Sequence, residues 1–518
     1  MSAEKAIELI KDEDSLAISG FITCGVPEEL LIALEKRFLD TGHPRDLTTI
    51  HTGDPGNNRG FGLDHLSYEG LLKKTIGSHF NLNPKLQNLI VEEKIEGYVI
   101  PLGVLSRINR EIAAGNPGVI THIGLNTVVD PRVAGPEANL RSKEKVVEVL
   151  QFNGREWLLY KSFPIDVALI RGTTVDELGN LSMEKEALDF DVLALALAAK
   201  NCGGKVIVQA EQIATARSLN PRDVKLPGAF VDAIVIGQPE NHWQTFREQY
   251  NPAYSGEIHS SLISLQPAPF SFRKIIGRRG AMELRQGTIV NLGIGMAEFV
   301  GEVAGEERIA DQLTFLIEAG SVGGIPAYGL NFGASFNPDS IIDTAQMIDF
   351  IDGSGLDMCF VGFAEIDELG NVNVSKVGNR LAGVGGFIDI TQSTHKVVFC
   401  GAFTATYQED GIKVGNGKIE IAEDGNTKKF VKRVQQITFS AADALERDHE
   451  VTYVTERAVF KLTKEGLVLT EIAPGVNLDK DILGQMEFKP IIAKNLKEMP
   501  KKIFKEGQIN LRHKFQRT

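Results

Sequence analysis

A single glutamate, Glu318, closes a short apolar run and is followed at once by small residues. The run is Leu313-Thr-Phe-Leu-Ile317, and the residues that follow the glutamate are Ala319 and Gly320. Apolar runs of this length bounded by glycine are typical of buried parallel strands. Because ligands of open α/β sheets bind beyond the carboxyl ends of such strands, the segment favours a catalytic carboxylate at position 318. The alternative is a glutamate in an ordinary strand-to-loop turn.

A second group of glycines precedes a predicted helix farther along the chain. The segment is Gly383-Val-Gly385-Gly386-Phe-Ile-Asp389. Glycines in front of a helix leave its first N–H groups unobstructed, and such groups can bind a phosphate or an oxyanion formed during acyl transfer. A tight loop that binds no ligand explains the pattern equally well.

Residue spacing gives little support to metal or dinucleotide chemistry. Cys24, Cys202, Cys359 and Cys400 are scattered, which is typical of reduced thiols, and no histidines have zinc spacing. Gly293-Ile-Gly295 begins a dinucleotide fingerprint, but Glu298 occupies the third glycine position. Most isolated histidines are structural, although four of them could line a pocket: His51, His65, His79 and His122.

The chain repeats itself over a long distance. Val175-Asp-Glu-Leu-Gly-Asn180 recurs as Ile366-Asp-Glu-Leu-Gly-Asn371. The paired acids in these copies predict a local turn in which aspartate and asparagine bond the backbone. Upstream, Leu16–Gly25 resembles Thr288–Gly295 as a strand, a glycine turn and a helix start, and His51 stands where Glu318 stands in the second copy. The period is too long for a solenoid, so we predict two related α/β domains fused in one chain.

These repeats predict the domain bounds. The first domain is expected over residues 1–258, with a large insertion at about 54–151, and the second over 273–518. Prolines and glycines between 251 and 272 interrupt both periodicities and mark the connection. We also expect a helix at 69–74 and a solvated helix or tail at 494–517.

Composition narrows the class of protein. The 518 residues are 43% hydrophobic and 24% charged, as in a globular protein with a full core. A net charge of −13 disfavours nucleic-acid binding, which requires a basic face. No apolar run is long enough to span a bilayer, and the first residues lack the features of a signal peptide. We therefore expect a cytoplasmic protein without membrane association.

At these residues the chain resembles the class I coenzyme A-transferases, in particular their fused-chain branch. The similarity covers nearly the whole chain and includes Glu318-x-Gly320 and Gly383-x-Gly385-Gly386. Four further segments share it: Pro164–Gly172, Met183–Ala187, Tyr250–Gly256 and Gly370–Ser375. The resemblance implies two similar α/β domains with the active site between them, and a homo-oligomer, either dimer or tetramer.

The resemblance also implies the chemistry. Glu318 is the expected nucleophile, and the amides of Gly385 and Gly386 are the expected oxyanion donors. Acyl-CoA and a short-chain carboxylate such as acetate or propionate are the expected substrates, with coenzyme A as substrate rather than cofactor and no metal. Leu102 stands where these enzymes have glutamine and Asn126 where they have glycine, which affects the choice of acyl group. The residues expected to contact substrate are Gly383, Gly320, Leu102, Asn126 and Gly25.

Three other functions remain open at this point. An acyl-CoA hydrolase could use the same glutamate, and it would release CoA without an acceptor acid. A dinucleotide-linked oxidoreductase is disfavoured by the incomplete fingerprint. A non-catalytic protein that binds CoA or a metabolite would never form a covalent adduct.

Overall fold

Two large sheets, one from each half of the chain, organise the molecule. The computed structural model describes residues 1–260, 269–406 and 411–515. The first sheet has nine strands and the second has ten, and both are mostly parallel at their centres. The prediction of two related open α/β units is therefore confirmed. Most of the predicted connection, 261–268, lies outside the described residues, and the domain bounds 1–258 and 273–518 stay predictions.

The first half contains five helices and twelve strands. The helices are α1 (Ala3–Ala6), α2 (Glu28–Thr41), α3 (Pro84–Val91), α4 (Leu102–Ala114) and α5 (Val192–Asn201). The strands are β1 (Ser15–Phe21), β2 (Leu47–Gly53), β3 (Leu72–Gly77), β4 (Glu96–Val99), β5 (Gly118–Thr121), β6 (Val147–Phe152), β7 (Arg155–Lys161), β8 (Val167–Asp176), β9 (Leu181–Ser182), β10 (Lys205–Ala214), β11 (Val224–Leu226) and β12 (Ala233–Ile236).

The described part of the second half contains six helices and twenty strands, many of them very short. The helices are α6 (Phe272–Ala281), α7 (Glu298–Glu306), α8 (Thr344–Asp352), α9 (Phe387–Ser393), α10 (Ala441–Glu446) and α11 (Arg512–Phe515). The strands are β13 (Ile289–Leu292), β14 (Thr314–Leu316), β15 (Ser321–Val322), β16 (Ile325–Pro326), β17 (Ser335–Phe336), β18 (Ser340–Ile341), β19 (Met358–Val361), β20 (Glu365–Ile366), β21 (Val372–Asn373), β22 (Lys376–Val377), β23 (Arg380–Leu381), β24 (Lys396–Cys400), β25 (Thr404–Ala405), β26 (Ile412–Gly415), β27 (Lys418–Ile421), β28 (Thr427–Lys428), β29 (Glu450–Val454), β30 (Ala458–Thr463), β31 (Gly466–Ile472) and β32 (Ile491–Glu498).

The two sheets share one strand order. Parallel strands run β12-β10-β8-β1-β2-β3-β4 in the first half. In the second half the parallel strands run β29-β24-β19-β13-β14. In each half the first strand, β1 or β13, lies between two parallel partners. One partner is the next strand in the chain, β2 or β14. The other is the strand that leads into the repeated Asp-Glu-Leu-Gly-Asn segment, β8 or β19. This agreement supports the repeat read from the sequence.

Local sequence explains why two of these elements form where they do. Strand β8 is buried along its whole length, as expected for a central parallel strand covered on both faces. Helix α4 buries Leu105, Ile108 and Ile112, which recur at helical spacing, and it ends at Gly115 in the left-handed conformation.

Two local predictions were wrong. The helix expected at 69–74 is instead a turn that leads into the first residues of β3, which pairs with β2 and β4 on its two sides. The tail expected at 494–517 instead begins within β32, which pairs with β31, and then buries Ile503 and Phe504. Tertiary pairing and burial outweighed local preference in both segments. Residues 54–151, expected as an insertion, supply β3 and β4 to the main sheet.

The halves share a core along α4. One cluster of buried side chains joins Leu105 of α4 to Ile348 of α8 and Ile388 of α9. An ion pair between Arg107 and Asp352, 2.9 Å from Nη1 to Oδ2, lies across the same boundary. The two halves are therefore held against each other along α4. Across the described residues, the helices are all too short or too polar to cross a membrane.

Candidate active site

Glu318 lies in the tight turn that joins β14 to β15. The turn is closed by a hydrogen bond from the Ile317 N–H to the Ser321 carbonyl oxygen, 2.9 Å long. The glutamate side chain is buried, with 7% of its surface exposed, although it ends at the carboxyl edge of the sheet. Burial raises the pKa of its carboxyl group above the usual value. A buried carboxylate of this kind is more basic, and hence more nucleophilic, than one in water.

Asn291 holds the glutamate from the neighbouring strand. It lies on β13 opposite Leu316, and its Nδ2 is 3.3 Å from Glu318 Oε2. This bond favours the ionised carboxylate and so lowers the pKa of Glu318 against the effect of burial. The Oδ1 atom of Asn291 is buried and has no hydrogen-bond partner among the described residues. Sequence reasoning missed Asn291, which stands in an otherwise ordinary apolar strand.

The turn behind Glu318 needs a glycine. Gly320 has φ +126°, and a Cβ there would lie 2.0 Å from the Ile342 carbonyl oxygen. The Ile342 N–H donates to the Gly320 carbonyl oxygen at 3.0 Å, and Thr344 Oγ1 donates to that of Ala319 at 2.8 Å. Gly320 therefore helps to hold the turn that carries Glu318. Its predicted contact with substrate stays a prediction.

Gly386 lies beside the side chain of the glutamate. A Cβ at Gly386 would lie 3.2 Å from both Cγ and Oε1 of Glu318. Helix α9 begins at the next residue, as the sequence predicts. Among the described residues the Gly386 N–H has no acceptor. The structure thus brings an unpartnered backbone donor beside the buried carboxylate.

Gly386 is the last residue of the glycine loop, Gly383–Gly386. The other three residues of this loop pack against the first half. The N–H groups of Val384 and Gly385 donate to the Ser78 carbonyl oxygen at 2.7 and 2.8 Å. Gly383 has φ +86°, and a Cβ there would lie 2.5 Å from the same oxygen. The Gly385 amide, expected as an oxyanion donor, is therefore engaged by Ser78, which leaves the Gly386 amide free.

His79, next to Ser78, is the histidine that the fold brings to the glycine loop. Its Nδ1 is 2.8 Å from Oδ2 of the buried Asp54. The other three histidines named from the sequence have structural surroundings. His51 packs under Gly77, and burial lowers its pKa to about 4. The two ring nitrogens of His65 form hydrogen bonds with Glu28 and Glu35. Burial lowers the pKa of His122 to about 4.

The remaining predicted contact residues divide into two groups. The Leu102 N–H donates to the Gly385 carbonyl oxygen at 2.9 Å, so Leu102 adjoins the loop through its backbone while its side chain is buried. Asn126 is exposed in a turn, and its N–H donates to Asp130 Oδ2 at 3.0 Å. Gly25 lies against the Phe190 ring. Contact with substrate stays a prediction for all three residues.

The repeated Asp-Glu-Leu-Gly-Asn segment is a turn in both halves. Asp176 Oδ1 accepts the N–H groups of Leu178 and Asn180 at 2.9 and 3.0 Å. Asp367 Oδ1 accepts those of Leu369 and Asn371 at 3.1 and 3.0 Å. The prediction of a structural role is confirmed. Within the described residues, no group of three or more potential ligands is placed to hold a metal ion.

Comparisons with known proteins agree with this geometry. Residues 1–237 match the family model described as coenzyme A transferase. The chain is 44% identical over 512 residues to caffeate CoA-transferase from Acetobacterium woodii, covering 98% of this chain and 97% of that protein. It is 38% identical over 506 residues to acetate CoA-transferase YdiF from Escherichia coli O157:H7, covering 97% and 94%.

A solved structure has the same fold over almost the full length. The crystal structure of the acyl-CoA transferase YdiF from E. coli O157:H7, in a thioester complex with CoA, superposes with a TM-score of 0.92. It is 37% identical in sequence, and the match covers 98% of this chain and 96% of that one.

Proposed function

The chain belongs to the coenzyme A transferase family, in its single-chain fused branch, and from this premise we propose that it transfers CoA to a free carboxylate through a thioester on Glu318. It is an acyl-CoA:carboxylate CoA-transferase. One observation carries the proposed mechanism: a buried carboxylate lies beside Gly386, whose N–H has no acceptor among the described residues.

The proposed reaction uses Glu318 as a covalent relay. The ionised carboxylate attacks the acyl-CoA carbonyl carbon, the C–S bond breaks, and a mixed anhydride and CoA thiolate result. The thiolate then attacks the glutamyl carbonyl carbon, which gives a glutamyl-CoA thioester and releases the first acid. An acceptor carboxylate attacks that thioester, and the two steps run in reverse. Every nucleophile is already an anion, so neither a general base nor a metal is needed.

The Gly386 amide supplies the proposed oxyanion donor. Each attack turns a carbonyl oxygen into an oxyanion, and one preorganised donor is typically worth about 3 kcal/mol of barrier. Gly385 has a different role, because its N–H anchors the loop on Ser78. The burial of Glu318 also matters for the product, since water that reached the thioester would make the enzyme a hydrolase.

Short-chain acids such as acetate and propionate are the proposed acceptors. The two relatives are named for caffeate and acetate, acids of very different size, so an aromatic acid belongs among those tested. Within the same proposal, coenzyme A acts as substrate rather than as a bound cofactor, and the enzyme is a cytoplasmic homo-oligomer, either dimer or tetramer.

Mass spectrometry of the intact protein and of its proteolytic peptides tests the proposal directly. The protein is mixed with acetyl-, propionyl- and caffeoyl-CoA without any acceptor acid, and Glu318→Ala is the control. We expect a CoA adduct on the wild-type peptide that contains Glu318, cleared when acetate or another acceptor is added, and no adduct on Glu318→Ala. Release of free CoA without an adduct would support a hydrolase instead. A wild-type protein that gives neither adduct nor free CoA would contradict the transferase mechanism.

A further inference from the structure

His79 is the ionisable side chain that the first half presents to the glycine loop. A Cβ on Gly383 would lie 2.8 Å from His79 Cα, and a Cβ on Gly385 would lie 4.0 Å from His79 Cδ2. A strand-like bridge also pairs His79 with Gly383. The ring edge that carries Cδ2, and with it the adjacent Nε2, therefore faces Gly385, one residue before the proposed oxyanion donor.

Asp54 fixes the orientation of this ring. Asp54 is fully buried, and its Oδ2 accepts from His79 Nδ1 at 2.8 Å and from the Leu82 N–H at 3.0 Å. Its Oδ1 accepts from Asn83 Nδ2 at 2.6 Å. A carboxylate that receives donors on both oxygens acts only as an acceptor, so the shared hydrogen lies on Nδ1. Nε2 has no partner among the described residues and is free for a ligand.

The proposed reaction requires a partner for an anion at this place. An acceptor acid must enter a site from which water is largely excluded, and an unpaired carboxylate there is costly. Among the described residues no lysine or arginine forms a hydrogen bond or ion pair with Glu318 or with the glycine loop. Arg380, the nearest cation along the chain, is exposed and bonded to Asn81 Oδ1 at 2.9 Å.

We propose that His79, held by Asp54, binds the acceptor carboxylate. This inference rests on the proposed function and adds a substrate-binding residue to it. The proposed binding form of His79 is the one with a hydrogen on each ring nitrogen, in which Nδ1 donates to Asp54 and Nε2 donates to one oxygen of the acid. The other oxygen of the acid forms the new bond to the glutamyl carbonyl carbon, and the C–S bond then breaks to release CoA thiolate. His79 transfers no proton in this step, and the charge passes from the acceptor carboxylate to the departing thiolate.

Discharge of the isolated glutamyl-CoA enzyme tests this role. The enzyme is charged with acetyl-CoA, freed of small molecules and mixed with increasing acetate, or with hydroxylamine as a small neutral nucleophile. His79→Ala removes the donor, whereas His79→Gln keeps a side-chain N–H. The matched control is His43→Ala, because His43 also bonds an aspartate through Nδ1, 2.9 Å from Asp12, but is exposed.

We expect His79→Ala to raise the half-saturating acetate concentration about tenfold or more, as the loss of a charge-assisted hydrogen bond predicts. The rate with hydroxylamine should stay within about twofold of wild type, because this nucleophile carries no charge. His79→Gln should fall between the two enzymes, and His43→Ala should match wild type.

Two results would overturn the role of His79. One is an unchanged half-saturating acetate concentration in both His79 variants. The other is an equal loss of rate with acetate and with hydroxylamine, which would indicate a structural effect. Failure of the wild-type enzyme to form any thioester is a separate outcome, since it removes the proposed function itself.

Discussion

Gly385 donates its backbone N–H to the carbonyl oxygen of Ser78, 2.8 Å away, and so ties the glycine loop of the second half to the loop that follows β3 in the first. The Phe80 N–H extends this contact by donating to the Ala382 carbonyl oxygen at 2.7 Å. The next amide along the chain, that of Gly386, is left free beside Glu318. Docking between the halves therefore engages the Gly385 amide and leaves that of Gly386, the residue beside Glu318, without an acceptor among the described residues.

Crowding at Gly386 should slow the reaction. Its φ is −85°, so alanine fits the backbone, but the added Cβ would lie 3.2 Å from Glu318 Cγ and Oε1. We expect Gly386→Ala to lower kcat about 100-fold with a smaller change in the KM for acyl-CoA, because the nucleophile is displaced. Steady-state kinetics measure this. Gly415→Ala is the control, since its φ lies outside the left-handed region and nothing lies within 4 Å of the new Cβ. Equal rates for Gly386→Ala and wild type would contradict the prediction.

Asn291 should set the acidic limb of the pH profile. Glu318 must be ionised to attack, so the rate falls as pH drops through its pKa. Burial raises that pKa and the bond from Asn291 lowers it, so removing the bond raises it further. Asn291→Leu should shift the acidic limb of kcat/KM to higher pH by about one unit. The profile is measured from the initial rate of acyl-CoA consumption, and a shift to lower pH would refute this assignment.

Asp389 should make stability depend on pH. Its side chain is buried, and neither oxygen has a hydrogen-bond partner of normal geometry among the described residues. Burial and the nearby Asp352 raise its pKa well above the usual value. A raised folded-state pKa stabilises the protein below the unfolded-state pKa, and this contribution is lost as pH rises through the folded value.

Asp389→Asn mimics the protonated form at every pH. We expect the variant to exceed wild type in free energy of unfolding at pH 8 by at least about 1 kcal/mol, with the difference vanishing in acid. Urea unfolding at a series of pH values measures this. A difference that grew as pH fell would have the wrong sign.

The repeated turn should contribute to stability and not to catalysis. Asp367 accepts two backbone N–H groups and Asn371 Nδ2, and Asp176 makes the equivalent contacts. Asp367→Ala should therefore lower the free energy of unfolding by about 2–3 kcal/mol, and Asp176→Ala by a similar amount. Turnover per folded molecule should stay within about twofold of wild type. Urea unfolding and active-site titration through the CoA adduct separate the two effects, and a selective loss of turnover in Asp367→Ala would assign that turn to the site.

Much of the part of the site that the second half of the chain supplies could be predicted, because the sequence patterns there involve residues close together in the chain. The apolar run before Glu318 forms β14, and the glycines before Phe387 lead into α9, as expected. The Asp-Glu-Leu-Gly-Asn turns also follow from side chains that bond their own neighbours. Segments whose structure depends on distant partners were predicted less well, as β3 shows, because the strands on its two sides determine its conformation.

The sequence by itself determined the fold class, the repeat and the family, since apolar periodicity and short motifs act over a few residues, and it also singled out Glu318 as the residue to test. Tertiary structure alone decided that Asn291 bonds Glu318, that His79 faces the glycine loop and that Gly386 keeps a free amide. These relations depend on backbone groups and on residues far apart in the chain. Every residue has a carbonyl oxygen like that of Ser78, so no residue type marks the one that the folded chain brings to Gly385.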